Sequence, residues 1–122
     1  MGRTSAVAAA LLLAVAVSLG VLTGAQPAWA DMTQEDYKFL TTLESIGWTI
    51  HDPAVLISQG HMVCNEGLAH GVSWLEMRST LMGYGYSRDD ASLLIHNAVL
   101  AYCPTYSHVS DEIYEDLMGG GR

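Results

Sequence analysis

The stretch SRDDASLLIHNAVLAYCP, residues 87–104, is the one on which the reading of the whole chain turns. Ser87 is a good helix N-cap, and Asp89 and Asp90 fall in the first turn, where carboxylates favour the positive end of a helix. From Ala91 to Tyr102 the segment is apolar nearly all round, broken only by Ser92, His96 and Asn97. A helix of that composition belongs in the middle of a domain, because no face of it suits water. Pro104 ends it. Its last turn carries Cys103, one of the two cysteines in the chain.

The other cysteine, Cys64, lies in HMVCNEGLAH, residues 61–70, with a histidine on either side. Two readings compete. One gathers His61, Cys64, Cys103 and His108 around zinc. Residues three apart do share a helix face, but the paired Cys-x-x-Cys or His-x₃₋₅-His spacing of such sites is missing. The other joins Cys64 to Cys103 as a disulfide, which needs an oxidising compartment and an even cysteine count. Closing a loop of about 40 residues contributes roughly 4 kcal/mol in the chain-entropy model. The disulfide is favoured, zinc stays as the alternative, and a catalytic dithiol lacks its Cys-x-x-Cys.

The N-terminus supports the oxidising compartment. MGRTSAVAAALLLAVAVSLGVLTGAQPAWA has Arg3, an apolar run over Ala6–Leu22, and small residues at Ala28 and Ala30. This is the pattern of a secretory signal peptide cut between Ala30 and Asp31; an uncleaved anchor is the rival. No cysteine stands near the cut to take a lipid. Twin arginines are absent, so the general export route is expected. The mature chain then holds thirteen acidic and four basic residues, a formal charge of −9. Such a surface repels phosphate, so nucleic acid and anionic lipid are discounted as partners.

Three further helices precede the central one. In MTQEDYKFLTTLESIG, Thr33 caps, Asp36 follows three residues later, and Met32 with Tyr37 fits a hydrophobic staple. Tyr37, Leu40 and Leu43, joined by Phe39 and Ile46, form the apolar side, and Gly47 stops the helix. In HDPAVLISQG, Asp52 caps and Pro53 takes the first helical position. Leu56, Gly60, Val63 and Gly67 form one stripe. Glycine inside a helix costs about 1 kcal/mol against alanine, so Gly60 implies close approach of another element. In VSWLEMRSTLMG, Ser73 and Glu76 read as a capping box and Val72 with Met77 as a staple. Leu75, Leu81 and Met82 supply the apolar side. The spacing predicts helices near 34–46, 53–68, 74–82 and 88–103. The fold class is all-α: a small four-helix bundle over 31–104 with one disulfide, preceded by a cleaved signal peptide (1–30). Residues 105–122 read as an acidic, loosely held tail dispensable for the fold.

These residues carry a resemblance. Asp36 with Phe39-Leu40, Leu43 and Gly47, then Gly60-His61-Met62-Val63-Cys64 and Gly71, then Ala91, Ala98-Val99 and Tyr102-Cys103-Pro104 resemble the pattern of domain-of-unknown-function family 732. Its members are small exported proteins, chiefly mycobacterial. The resemblance covers almost all of residues 36–104. It implies a helical, disulfide-linked, exported domain, and it carries over no catalytic residue.

Candidates for chemistry are sparse. His51, His61, His70, His96 and His108 are scattered. His96 shares a polar stripe with Ser92 and Asp89, which favours a solvent-facing or capping role. Ser107-His108 lacks a nucleophile elbow. Asp89-Asp90 reads as helix-start charge. Asp111, Glu112, Glu115 and Asp116 lack the alternation and glycine of a calcium loop. Trp48 and Trp74 read as core or core rim. No catalytic residue, metal or cofactor is expected. The candidate binding surface is Tyr84 and Tyr86, taken as an exposed aromatic turn, with Ile113, Tyr114 and Leu117 of the tail, where a partner could fold the segment on contact. The expected function is a non-catalytic binding domain of the cell envelope or medium, with a protein or envelope component as partner and no membrane span after cleavage. An enzyme or redox protein with an unrecognised site, or an accessory subunit of an envelope complex, is the alternative.

Overall fold

The computed structural model describes residues 31–120, and within them five α-helices follow one another. These are α1 Gln34–Ser45, α2 Pro53–Met62, α3 Trp74–Gly83, α4 Arg88–Tyr102 and α5 Ser107–Glu115. The expected signal peptide, residues 1–30, lies outside the described residues. Among the described residues no helix is long and apolar enough to cross a membrane.

As its composition demands, α4 is the centre. It packs against each of the other four helices, and Ala91, Leu94, Ile95, Ala98 and Val99 are wholly buried. Facing them are Phe39, Leu40 and Leu43 of α1, Leu56 of α2, Val63 just beyond it, and Trp74, Met77 and Leu81 of α3. The caps fall where the sequence places them: Thr33, Asp52, Ser73 and Ser87 each accept a backbone N–H three residues on. Gly47, at φ 103°, turns the chain out of α1.

Two helices are rotated from expectation. In α1 the buried stripe is Asp36, Phe39, Leu40 and Leu43, while Tyr37 and Ile46 face outward and Met32 packs against the core. The capping carboxylate has taken an inward position. In α3 the buried residues are Trp74, Met77 and Leu81, and Leu75 and Met82 are exposed. Ser73 accepts the Glu76 N–H, half of the capping box expected there. The second helix also changes winding sooner than 68. Its α-helical bonds give way to a π-helical turn over Val63–Gly67 and a 3₁₀ turn over Leu68–His70.

The largest correction concerns residues 105–122. In place of a loosely held tail, a 3₁₀ turn Pro104–Tyr106 leads into α5 and then a π-helical turn Asp116–Gly120. Val109 and Ile113, four apart, are buried against the core, and the acidic residues Asp111, Glu112 and Glu115 lie on the outer face. The acidic composition concealed an amphipathic helix. Polar contacts pin it further. Trp74 Nε1 donates to Glu112 Oε1 at 3.1 Å, and Asp116 accepts from Arg78 at 3.3 Å and Arg88 at 3.2 Å. The Arg78 guanidinium also sits 5.1 Å from the centre of the Trp74 ring. Of the α4 stripe read as solvent-facing or capping, Asp89 is exposed, but the other two residues are covered. Ser92 is fully buried, and His96 Nδ1 lies 2.7 Å from the buried Ser110 Oγ.

Cys64 and Cys103 form the disulfide, with Cα atoms 6.0 Å apart. It ties the turn after α2 to the end of α4. The two sulfurs are bonded to each other, so neither is available as a thiolate ligand, and the zinc alternative falls.

Candidate functional site

The expected binding surface does not survive as one surface. Ile113 is wholly buried in the core, and Leu117 is partly buried against it. Tyr114 is exposed on the outside of α5. Tyr84 is exposed, but Tyr86 is half-buried. The Tyr86 hydroxyl donates to Gln59 Oε1 on α2, and its ring stacks on Trp48, centroids 6.0 Å apart. Burial, and then the charge of Asp90, push the Tyr86 phenol above its ordinary pKa.

What the structure gathers instead is a face around the N-terminus of α2. Trp48, Thr49, His51, Asp52, Val55, Leu56 and Tyr86 line a shallow cleft of about 320 Å³. A second, of about 460 Å³, is lined by Asp52, Ala54, Val55, Ser58, Gln59 and Tyr84. The two share Asp52 and Val55, and Val55 is exposed between them. Read locally, Asp52 has only a capping duty and Trp48 only a place in the core or at its rim. The tryptophan is at the rim, and its ring also walls a cleft. No local spacing links residues 48, 55 and 86; the turn after α3 brings Tyr84 and Tyr86 beside α2.

A second constellation stands where α1, α2 and α4 meet. Asp36 Oδ1 accepts from the Tyr102 hydroxyl at 2.6 Å and from His61 Nε2 at 3.1 Å. Asp36 Oδ2 accepts the Thr33 N–H at 3.1 Å and thereby completes a capping box. The His61 and Tyr102 rings lie 4.1 Å apart, and the Tyr102 ring meets Phe39 at 5.3 Å. A cleft of about 470 Å³ opens beside them, lined among others by Thr33, Glu35, Asn65 and Pro104. Burial raises the Asp36 carboxyl, but bonds from Tyr102, Thr33 and His61 outweigh it and hold the group below its ordinary value. Burial and the Asp36 bond drive the Tyr102 phenol far above its own. A carboxylate made a weaker base, facing a phenol made a weaker acid, is a poor proton-transfer pair. The arrangement suits a clasp between helices better than catalysis.

The clasp explains the motif. A family model described as "Protein of unknown function (DUF732)" matches residues 35–105. The chain belongs to this family. It is also 31% identical over 95 residues to the uncharacterized protein Mb1302c of Mycobacterium bovis, spanning 77% of this chain and 80% of the relative. The same figures hold for the uncharacterized protein Rv1271c of Mycobacterium tuberculosis. No solved structure matches.

In this DUF732 chain several of the residues that carry the resemblance meet at the clasp. Asp36 is its acceptor and Tyr102 its donor, and Phe39 packs on Tyr102. Gly60 is the close approach the sequence implied. A Cβ there would stand 2.9 Å from Tyr102 Cε2 and 3.0 Å from the Phe39 ring. The Cys64–Cys103 bond follows directly in sequence. That part of the motif locks α1, α2 and α4 together. Sequence reasoning found the cysteines and Gly60 but missed the Asp36–His61–Tyr102 contact, since residues 25 and 66 positions apart share no local signal.

Proposed function

We propose that this DUF732 protein is exported by the general secretory route, loses residues 1–30, and acts in the cell envelope or medium as a non-catalytic binding domain. Its binding face is the pair of clefts around Asp52 and Val55, walled by Trp48, Tyr84 and Tyr86. The observation that carries the reading is that the two clefts adjoin and share Asp52 and Val55. Aromatic rings, an exposed valine and a carboxylate converge there at the rim of the core. Export is supported by the Ala28-Trp29-Ala30 pattern and by a disulfide that persists in oxidising compartments.

Two measurements test this. N-terminal sequencing of protein from the exported fraction is expected to begin at Asp31; retention of Ala6–Leu22 would overturn cleavage. A mixed fragment screen by NMR, spanning apolar, neutral polar, anionic and cationic probes, is expected to shift resonances of Trp48, Val55, Tyr84 and Tyr86 first. Shifts converging on the His61–Tyr102 cleft, or turnover of a probe that one His or Asp substitution abolishes, would replace the reading with an enzyme.

A further inference from the structure

The charges around the binding face are one-sided. Asp52 lines both clefts, and the charge of Asp90 reaches the Tyr86 phenol. Neither cleft is lined by a lysine or arginine. The described chain has three such residues, Lys38, Arg78 and Arg88, and both arginines are engaged with Asp116. The aromatic walls are Trp48 and Tyr86, stacked on each other, in one cleft and Tyr84 in the other. The Asp52 carboxylate accepts only the Val55 N–H, and His51 is the one basic side chain in the lining. Aromatic rings beside such a carboxylate attract an organic cation through ring quadrupole and charge together.

The clefts are also shallow and lie side by side, not closed into one cavity. Small molecules favour concave sites that bury most of their surface. Two open clefts separated by Val55 suit an extended chain laid across the valine, with side chains entering either side. The overall charge of −9 after cleavage steers a basic segment toward the protein.

Resting on the binding face assigned above, we propose that its occupant is a basic peptide segment of a partner protein, whose arginine or lysine side chain seats against Trp48 and Tyr86 with Asp52 as counter-ion. The test uses the oxidised protein as purified from the exported fraction. Two probes are titrated by NMR: the capped hexapeptide Gly-Arg-Gly-Arg-Gly-Arg and its neutral twin with citrulline for arginine. Expected are shifts at the Trp48 indole, Val55, Tyr84 and Tyr86 with the arginine peptide, binding about fivefold or more weaker with citrulline, and weakening as salt rises. Asp52→Asn removes the charge but keeps a good N-cap, so the fold survives while affinity falls by a similar factor. Glu66→Gln, an exposed carboxylate outside either cleft, controls for diffuse attraction and is expected to change little.

Equal binding of the citrulline peptide would overturn the cation and leave the face standing. Equal loss in the Asp52 and Glu66 variants, or shifts spread over the acidic surface, would reduce the effect to net charge and overturn the seat. Tetramethylammonium binding as tightly as the peptide would make the ligand a small cation instead. Absence of any shift with the arginine peptide overturns the proposal, and the fragment screen then decides separately whether the face binds anything.

Discussion

Asp36 sits at the inward edge of α1, only 6% exposed, and accepts three hydrogen bonds, two of which draw α1, α2 and α4 together. Bonds to an ionised acceptor contribute more than neutral ones, so Tyr102→Phe is expected to cost about 1–3 kcal/mol by urea unfolding at neutral pH. The two ends of that bond set its pH window. Asp36 is depressed from an ordinary 3.8, so its contribution is complete above that value and is lost as pH falls through the lower folded pKa. Tyr102 is raised from an ordinary 10.0, so its contribution is complete below that value and is lost as pH rises through the higher folded pKa. The gap in stability between wild type and Tyr102→Phe should therefore narrow at both extremes. A gap that stays constant from pH 3 to 11 would show that the bond carries none of this linkage. Gly60→Ala sharpens the same corner. Helix propensity favours alanine by about 1 kcal/mol, but the added methyl would press two rings, one of them held by its hydroxyl. Overpacking costs about 1–3 kcal/mol, so a net loss is expected, read as a lower urea midpoint.

Of the elements, α5 departs most from its sequence. An acidic run after a proline reads as solvated chain, because high charge and few large apolar residues usually cannot offset the entropy of ordering. What reversed this is spacing: Val109 and Ile113 fall on one face, and α4 offers that face a groove beside His96 and Ser92. Two arginines then meet Asp116, which turns part of the acidic composition into attachment. Ile113→Ala is expected to cost about 2–5 kcal/mol, as for other buried large-to-small changes. Tyr114→Ala, on the exposed side, should stay within about 0.5 kcal/mol. Removing residues 107–122 is accordingly expected to lower the thermal midpoint and expose the α4 groove. A truncated chain that unfolds like the full one would return the segment to a dispensable tail. The part-buried Asp116 pairs alone would contribute modestly, about 1 kcal/mol each.

At the scale of the molecule, stability rests on one small core and one covalent link. The disulfide spans 39 positions and joins the turn after α2 to the end of the central helix. Reduction is expected to lower stability by roughly 4 kcal/mol in the chain-entropy model, a large share of the ~5–15 kcal/mol typical of a domain. Alkylation of protein from the exported fraction should find no free thiol until a reductant is added, and the reduced protein should melt well below the oxidised one. Two free thiols in that fraction, or melting unchanged by reductant, would count against both the link and the oxidising location. The clasp and the disulfide lie together at one corner, and the proposed binding face is built from the chain between α1 and α2, the first turns of α2 and the turn after α3. Substitutions in the clasp should therefore act on stability first, and substitutions at Asp52 or Tyr84 on binding first.

Helix identity was legible in the sequence because its signals are local. Thr33, Asp52, Ser73 and Ser87 cap the backbone three residues away, Gly47 and Pro104 end helices by their own dihedral limits, and the all-round apolar run of residues 91–102 could only be central. The Cys64–Cys103 pair was legible for another reason: a chain with two cysteines has a single intramolecular pairing. Which face of α1 and α3 turns inward was not legible, because Tyr37, Leu75 and Met82 are as apolar as the residues that won, and only the fit against α4 chooses. Nor was the fate of residues 105–122, whose two core residues have value only once the groove on α4 exists. The Asp36–His61–Tyr102 clasp and the Trp48–Tyr86 wall lie between residues far apart in sequence. They are products of helix packing, which brings together side chains that no local spacing connects.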